Sequence, residues 1–304
     1  MNQISRPVKQ GGFLCFFIFA VTAGLYGQSI TPQMGIIAIR QAYYEDIAGS
    51  GYDAEKKDWF IRVKKTEPAG ESDTLYWTGG RLLPASKLRE QTKYRNQFYR
   101  YPRTVTDPAV FTEEEIQRVT AFGSTDNRRN SPITDPTFYD LLYNSATLTQ
   151  VQKNITDISF LGKTIPVHKK IIEPLRRVEQ RIRTLAKNNS EVQKFLDDIS
   201  VLYGFSWREV RDTSSRSLHS FGIAIDILPR GYGQKIIYWN WEKNNGNNRW
   251  MLIPLKDRWL PPQAVISAFE SEGFIWGGKW GIWDNMHFEY RPELLILQVL
   301  SASS

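Results

Sequence analysis

Ser217-Leu218-His219-Ser220-Phe221-Gly222-Ile223-Ala224-Ile225-Asp226 is the stretch around which the chain is organised, and Asp284-Asn285-Met286-His287-Phe288-Glu289 completes it. The protein has three histidines, and two of them, His219 and His287, fall in these stretches with carboxylates close by. Two imidazoles and a carboxylate, here His219, His287 and Asp226, are the ligand set of a catalytic zinc ion, with a fourth position left for water. Ile223 to Ile227 alternates as a strand does, so Ala224 and Asp226 share one face while the isoleucines fill the other. Gly222 lets the backbone turn between the His219 loop and that strand, and Ala224 leaves room beside the metal. Asp284, three residues before His287, is within reach of the same reacting water.

Upstream of this stretch, Ile171, Ile172, Leu175, Val178, Ile182 and Leu185 lie at helical spacing opposite Arg and Lys, which predicts a long amphipathic helix. His168, near its start, has no partner at ligand spacing and reads as structural. A second helix is expected over Glu191 to Ile199. Leu202 to Arg208 then leads into the His219 stretch, with Arg208, Arg211 and Arg216 crowding the approach. Downstream, Gln234 to Trp241 and Arg249 to Leu255 flank an Asn/Gly turn and predict a hairpin. Pro261-Pro262 opens a helix that presents Val265 and Phe269 and stops at Gly273. Eight of the ten tryptophans follow residue 200; Trp280 and Trp283 are expected near substrate.

The first half carries no comparable chemistry. A short helix is expected over Ile36 to Ala48, and Trp59-Ile61-Val63 with Leu75-Tyr76-Trp77 predicts a hairpin. Tyr94, Phe98, Tyr99 and Tyr101 interleave with Arg95, Arg100 and Arg103. That pattern can stack on bases or sugars, yet a half-buried aromatic strand with solvated arginines is the plainer reading. Thr112 to Glu115 is a capping-box pattern that Ile116, Val119 and Phe122 extend as one helical face. A polar loop follows from Gly123 to Pro136, and another short helix begins at Phe138.

With 304 residues, 23% charged and 41% hydrophobic, the chain is an ordinary globular one able to bury a large core. Its net charge of +7 suits anionic cell-wall polymers or membrane surfaces as well as nucleic acid, and no nucleic-acid motif is recognisable. Arg6 and Lys9 precede an apolar run from Phe13 to Leu25 and small residues at Gly27-Gln28-Ser29, the pattern of a secretory signal peptide over residues 1–27. An uncleaved anchor is the alternative. Cleavage would remove both cations and no acid, so the charge falls from +7 to +5. It would also remove Cys15, the single cysteine, leaving no disulfide. An exported protein of the periplasm or cell envelope is expected, with peripheral association to wall or membrane.

A three-ligand zinc site polarises a carbonyl and lowers the pKa of its water, and hydrolysis further needs a base that later returns the proton to the leaving amine. Asp284, a carboxylate beside a ligand yet not needed as one, is the candidate. Glu289, two residues after His287, points the same way on a strand and is suited to a hydrogen bond that fixes the imidazole. A nearby arginine could hold a substrate carboxylate through a bidentate pair.

Ser217-x-His219-x-x-Gly222-x-Ala224-x-Asp226, Gly273-Phe274-x-Trp276-Gly277-Gly278 and Asp284-x-x-His287-Phe288-Glu289 together resemble the zinc D-alanyl-D-alanine carboxypeptidases. That family includes VanY-type enzymes, D-Ala-D-Ala dipeptidases and L-alanyl-D-glutamate endolysins, and the resemblance covers roughly residues 160–295. It implies one Zn2+ per chain held by His219, Asp226 and His287, with Asp284 as catalytic acid/base where some relatives carry Glu. Substrate binding falls to Arg216 and Arg208, ranked above Arg211, with Ser217 and Trp280, and Glu289 supports His287. The implied fold is α+β: a small antiparallel sheet carrying the zinc site with packed helices over residues 159–300, preceded by an accessory region of mixed α/β character over 28–158. The implied substrate is peptidoglycan or its peptide precursors, cut at a D-Ala-D-Ala terminus or, alternatively, at the L-Ala-D-Glu linkage. A zinc-containing binding module without catalysis, as in the hedgehog signalling domains, is the rival reading.

Overall fold

The computed structural model describes residues 30–66 and 70–302, so the signal-peptide stretch and Cys15 lie outside the described residues. The described chain begins with helix α1, Pro32–Ala42, where Thr31 accepts a hydrogen bond from the Met34 amide and proline occupies the first turn. These start signals lie ahead of the expected Ile36, and the helix ends early because the backbone at Tyr43 turns out of it toward β1, Ile47–Asp53. Strands β2, Asp58–Lys64, and β3, Ser72–Tyr76, form the expected hairpin, pairing Ile61 with Leu75. With β1 and the two-residue β4, Leu83–Pro84, they make an antiparallel sheet in the order β1-β2-β3-β4.

The aromatic segment that follows is not a strand. Residues 95–102 run without regular structure while Phe98 and Tyr101 plunge into the core. The capping box of α2, Glu113–Phe122, forms as read: the Glu115 amide donates to Thr112 Oγ1 at 3.2 Å and the Thr112 amide to Glu115 Oε2 at 2.8 Å. Within the stretch expected as a polar loop lies a short helix, α3, Thr125–Asn130, capped by Ser124. It buries none of its side chains, so hydrophobic periodicity gave no sign of it. Helices α4, Thr137–Tyr143, and α5, Leu148–Gln152, precede the hairpin of β5, Ile155–Phe160, and β6, Lys163–His168.

The amphipathic helix is α6, Ile172–Ala186, burying Pro174, Leu175, Val178 and Ile182, although Leu185 turns to solvent. Then come α7, Ser190–Asp198, and β7, Ile199–Tyr203, followed by β8, Ala224–Pro229, every residue of which is buried. Instead of the expected hairpin over 234–255 there is a short helix, α8, Trp239–Asn244, and single-turn 3-10 segments. The cause is packing: Trp239 and Trp250 meet at 4.7 Å between ring centroids and close a separate core with Val119, Met251 and Trp283. Helix α9, Gln263–Glu270, stops before Gly273 at φ +92°, as its Pro and Gly punctuation required. Strand β9, Phe274–Trp276, β10, His287–Tyr290, and α10, Pro292–Leu300, finish the fold.

The second sheet is antiparallel, ordered β7-β8-β10-β9. One face packs on α9, itself backed by α6, and Phe288 of β10 stacks on Phe269 at 4.0 Å. One hydrophobic cluster joins this sheet to the first half, taking in Ile36, Ile61, Phe98 and Phe138 as well as Ile225, Phe288 and Leu297. The fold is thus α+β with small antiparallel sheets, and the second sheet turns its other face to the candidate site.

Candidate metal centre

Strand register makes the centre. β8 and β10 pair so that Asp226 faces His287, Ile225 faces Phe288, and Ala224 faces Glu289. With side chains alternating across a strand, the isoleucines and Phe288 go to the core while Asp226, His287 and Glu289 go to the other face. His219 arrives on a 3-10 turn, Leu218–Phe221, capped by Ser217, whose Oγ accepts from the His219 amide at 3.4 Å. Gly222 ends the turn in the left-handed region at φ +70°, and a Cβ there would meet Ile155 Cδ1 at 2.5 Å and the His168 backbone nitrogen at 2.8 Å.

Ligand atoms of His219, Asp226 and His287 lie within 4.8 Å of one another, and the three residues are the one such group of three or more among the described residues. His219 Nδ1 is 2.7 Å from the Gly204 carbonyl. A carbonyl only accepts, so Nδ1 carries the proton and Nε2 presents a lone pair. That Nε2 is buried without a hydrogen bond, 3.3 Å from Asp226 Oδ1. Two acceptors facing each other call for a cation between them. His287 Nδ1 is 2.9 Å from the same oxygen, and its Nε2 is 3.1 Å from Glu289 Oε2. Around them Asp226, Glu289 and Glu293 are buried with a single buried guanidinium, Arg291. Three carboxylates against one guanidinium leave two negative charges, which protons on the imidazoles or a dication between neutral imidazoles would balance. On both counts the residues fit a divalent metal.

Burial opposes the charge on Asp226, yet His219 and His287 hold its carboxyl well below the usual range. Burial likewise opposes protonation of His287, but Asp226 and Glu289 hold that imidazole well above its ordinary value. Glu289 is lowered against its burial by His287 and Arg291.

Asp284 stands beside this set. Its backbone is pinned by an amide bond to the Gly277 carbonyl at 3.0 Å and by the His287 amide at 3.3 Å. Its Oδ1 is buried with no protein hydrogen-bond partner. Burial pushes its carboxyl up to about 7; Asp226 adds to the push, while His287 and Arg208 pull the other way. Trp280 walls the centre, its ring 5.6 Å from that of His287 and its indole N–H donating to Tyr99 Oη at 3.0 Å. Trp283, by contrast, belongs to the second core.

The three arginines part company. Arg208 is exposed and lines, with Gly204, Ser206, His219 and Asp226, a cavity of about 380 Å³. Arg216 lies between the Trp207 and Phe221 rings, at 4.4 and 4.1 Å, and donates to Asp140 at 2.7 Å. The carbonyl of Arg211, itself an exposed residue, accepts from Arg128. Ser217 spends its hydroxyl on the turn. His168 is structural, with Nδ1 accepting from the Lys170 amide and Nε2 3.1 Å from the Tyr143 carbonyl. Sequence reasoning passed over Ser220, whose hydroxyl accepts from the Arg208 amide and donates to the Arg208 carbonyl, tying the arginine's loop to the His219 turn. It also passed over Arg291, two residues beyond Glu289 and in contact with it, and the role of Tyr99, which meets the centre through Trp280.

Residues 210–290 match the family model described as D-alanyl-D-alanine carboxypeptidase, a span that holds His219, Asp226, Asp284, His287 and Glu289. Over that span the chain is similar to peptidases of the D-alanyl-D-alanine carboxypeptidase family. Residues 36–98 match a second model, a domain of unknown function (DUF8518). No curated protein and no solved structure matches the chain. No helix among the described residues is long and apolar enough to cross a membrane.

Proposed function

We propose that the protein is an exported zinc peptidase that removes the terminal residue from D-Ala-D-Ala-ended stem peptides of peptidoglycan or its precursors. The observation that carries this reading is the convergence of His219, Asp226 and His287 within 4.8 Å, with Asp284 beside them. His219 would offer Nε2, since its Nδ1 is engaged by Gly204, and His287 would offer Nδ1, since its Nε2 faces Glu289. Zinc held there supplies a Lewis acid for the scissile carbonyl and acidifies the attacking water. Asp284 takes the proton that water gives up as its oxygen bonds to the carbonyl carbon. It returns that proton to the amine nitrogen as the C–N bond breaks. Arg208, exposed at the cavity that His219 and Asp226 also line, would pair with the free carboxylate of the terminal residue. That placement favours a carboxypeptidase over the L-Ala-D-Glu endopeptidase alternative. The signal-peptide pattern and a net charge of +5 after its removal suit work on an anionic cell envelope.

The test is to incubate the metal-stripped protein, with and without zinc, with defined stem peptides and to weigh the products. Zinc-dependent loss of one D-alanine is expected; a cut between L-Ala and D-Glu would move the assignment to the endopeptidase. Zinc binding without cleavage of any peptide would leave the hedgehog-like binding module as the better reading.

A further inference from the structure

The face of β10 that carries His287 and Glu289 continues, two residues on, to Arg291, and from there a line of buried polar contacts leaves the matched peptidase segment altogether. Glu289 directs Oε2 at His287 Nε2, 3.1 Å away, and Oε1 at Arg291 Nη1, 3.5 Å away. The Arg291 fork has two further engagements: Nη2 donates to the Gln97 carbonyl at 2.8 Å and Nε to Glu293 Oε1 at 2.5 Å. The second oxygen of Glu293 accepts from Tyr43 Oη at 2.8 Å. Gln97 is in turn held by its own side-chain amide, which donates to the Arg81 and Asp135 carbonyls. Tyr139 lays its ring against Arg291 at 5.6 Å. Glu289, Arg291, Tyr43 and Gln97 are each 6% exposed and Glu293 is fully buried, so these contacts are shielded from bulk water.

We propose that Tyr43, Gln97, Glu293 and Arg291 are positioning residues of the metal centre, and that the region of unknown function spanning residues 36–98 serves as its outer wall. The inference rests on the reading of His287 as a metal ligand. The logic is sequential. An imidazole that offers Nδ1 to a metal must donate Nε2–H to a fixed acceptor if the ring is not to rotate, and Glu289 is that acceptor. A buried glutamate keeps its charge and its rotamer only with a cation in place, which is Arg291. Arginine's planar guanidinium is oriented by all the bonds it makes at once, and two of its three partners are Gln97 and Glu293. Glu293 would draw Arg291 with an unpaired oxygen were Tyr43 not donating to it. Tyr43 and Gln97 both fall inside residues 36–98, and Arg291 and Glu293 fall just beyond residue 290, so the matched peptidase span contains only the inner end of the line. One residue past that region, Tyr99 Oη accepts from Trp280 beside His287.

The test uses the full chain, stripped of metal, with Tyr43→Phe and Arg291→Lys; the first removes one hydroxyl, the second keeps the charge and removes the fork. Zinc affinity is measured by competition with a chelator, and the ligand geometry by the visible spectrum of the cobalt-substituted protein. Outer partners of ligands are worth about 10- to 100-fold in metal affinity, so Arg291→Lys should lose that much and Tyr43→Phe, further out, about 3- to 10-fold, both with an altered cobalt spectrum. Val178→Ala, a core change in α6, should lower the melting temperature with zinc affinity and spectrum unmoved. If Tyr43→Phe and Arg291→Lys bind zinc as the wild type does and give its cobalt spectrum, the line is merely structural and the proposal fails. A wild type that binds no zinc would instead remove the reading of the centre itself, and the proposal with it.

Discussion

Replacing Asp284 by Asn isolates the proton-transfer role from everything else the residue does. The side chain keeps its shape, and the backbone bonds to Gly277 and from His287 are untouched. Oδ1 has no hydrogen-bond partner in the protein, and an amide oxygen can still accept from the Met286 amide, so the substitution need forfeit no hydrogen bond; removing a negative charge near Asp226 also relieves a repulsion. The variant should therefore fold and bind zinc as tightly as the wild type or somewhat less tightly, since one negative charge near the dication is lost. What it loses is general acid–base catalysis, worth roughly 10²- to 10⁴-fold, or about 3–5 kcal/mol of barrier. The assay is release of D-alanine from a stem peptide at saturating zinc, read as kcat/KM alongside a zinc titration. A variant with wild-type zinc affinity that keeps more than about a tenth of the activity would show that Asp284 does not move the proton.

Further outcomes follow from the same geometry. Arg208→Ala should raise KM for a D-Ala-terminated peptide about 10- to 100-fold, the worth of a charged hydrogen-bond pair; Arg216→Ala, stripping Asp140 of its partner, should instead lower the melting temperature and spare KM. Burial, with Lys170 and Lys169 adding to it and the Tyr143 carbonyl opposing, lowers His168 to about 4. It stays neutral in the fold while the unfolded chain takes up a proton below about 6.5, so stability is lost as pH falls from about 6.5 to 4, by roughly 3 kcal/mol in all. His168→Asn, which keeps the cap, should show a correspondingly smaller loss between pH 7 and 4.5 in urea unfolding of the metal-free protein; an equal loss would refute the assignment. Gly222→Ala combines a left-handed φ with contacts under 3 Å and should cost about 2–5 kcal/mol. Unchanged stability there would mean that the His219 turn is looser than described.

What could be read from the sequence is what local chemistry dictates. The alternation in Ile223 to Ile227 placed Asp226 and Ala224 on one face, and Thr112 with Glu115 marked a helix start whose bonds form as expected. The scarcity of histidine drew attention to His219 and His287; strand register sets His287 opposite Asp226, and the 3-10 turn brings in His219. The failures share a cause. Trp239 and Trp250 appeared as two apolar runs around a turn, but each is fixed by the other and by Val119, more than a hundred residues upstream. Tyr94 to Arg103 read as a strand because nothing local showed that Tyr101 would donate to Glu270 or that Tyr99 would meet Trp280. Arg216 and Arg208 were indistinguishable by spacing; Asp140 on α4 claims the first, leaving the second at the cavity. Polar partners far away in the chain left no local trace.

The most direct measurement is a zinc titration of the metal-stripped protein and of its Asp226→Ala and His287→Ala variants. One tight site per chain is expected in the wild type, with the site lost or weakened by orders of magnitude in each variant. A wild type without stoichiometric zinc, or variants that bind it undiminished, would contradict the account at its root.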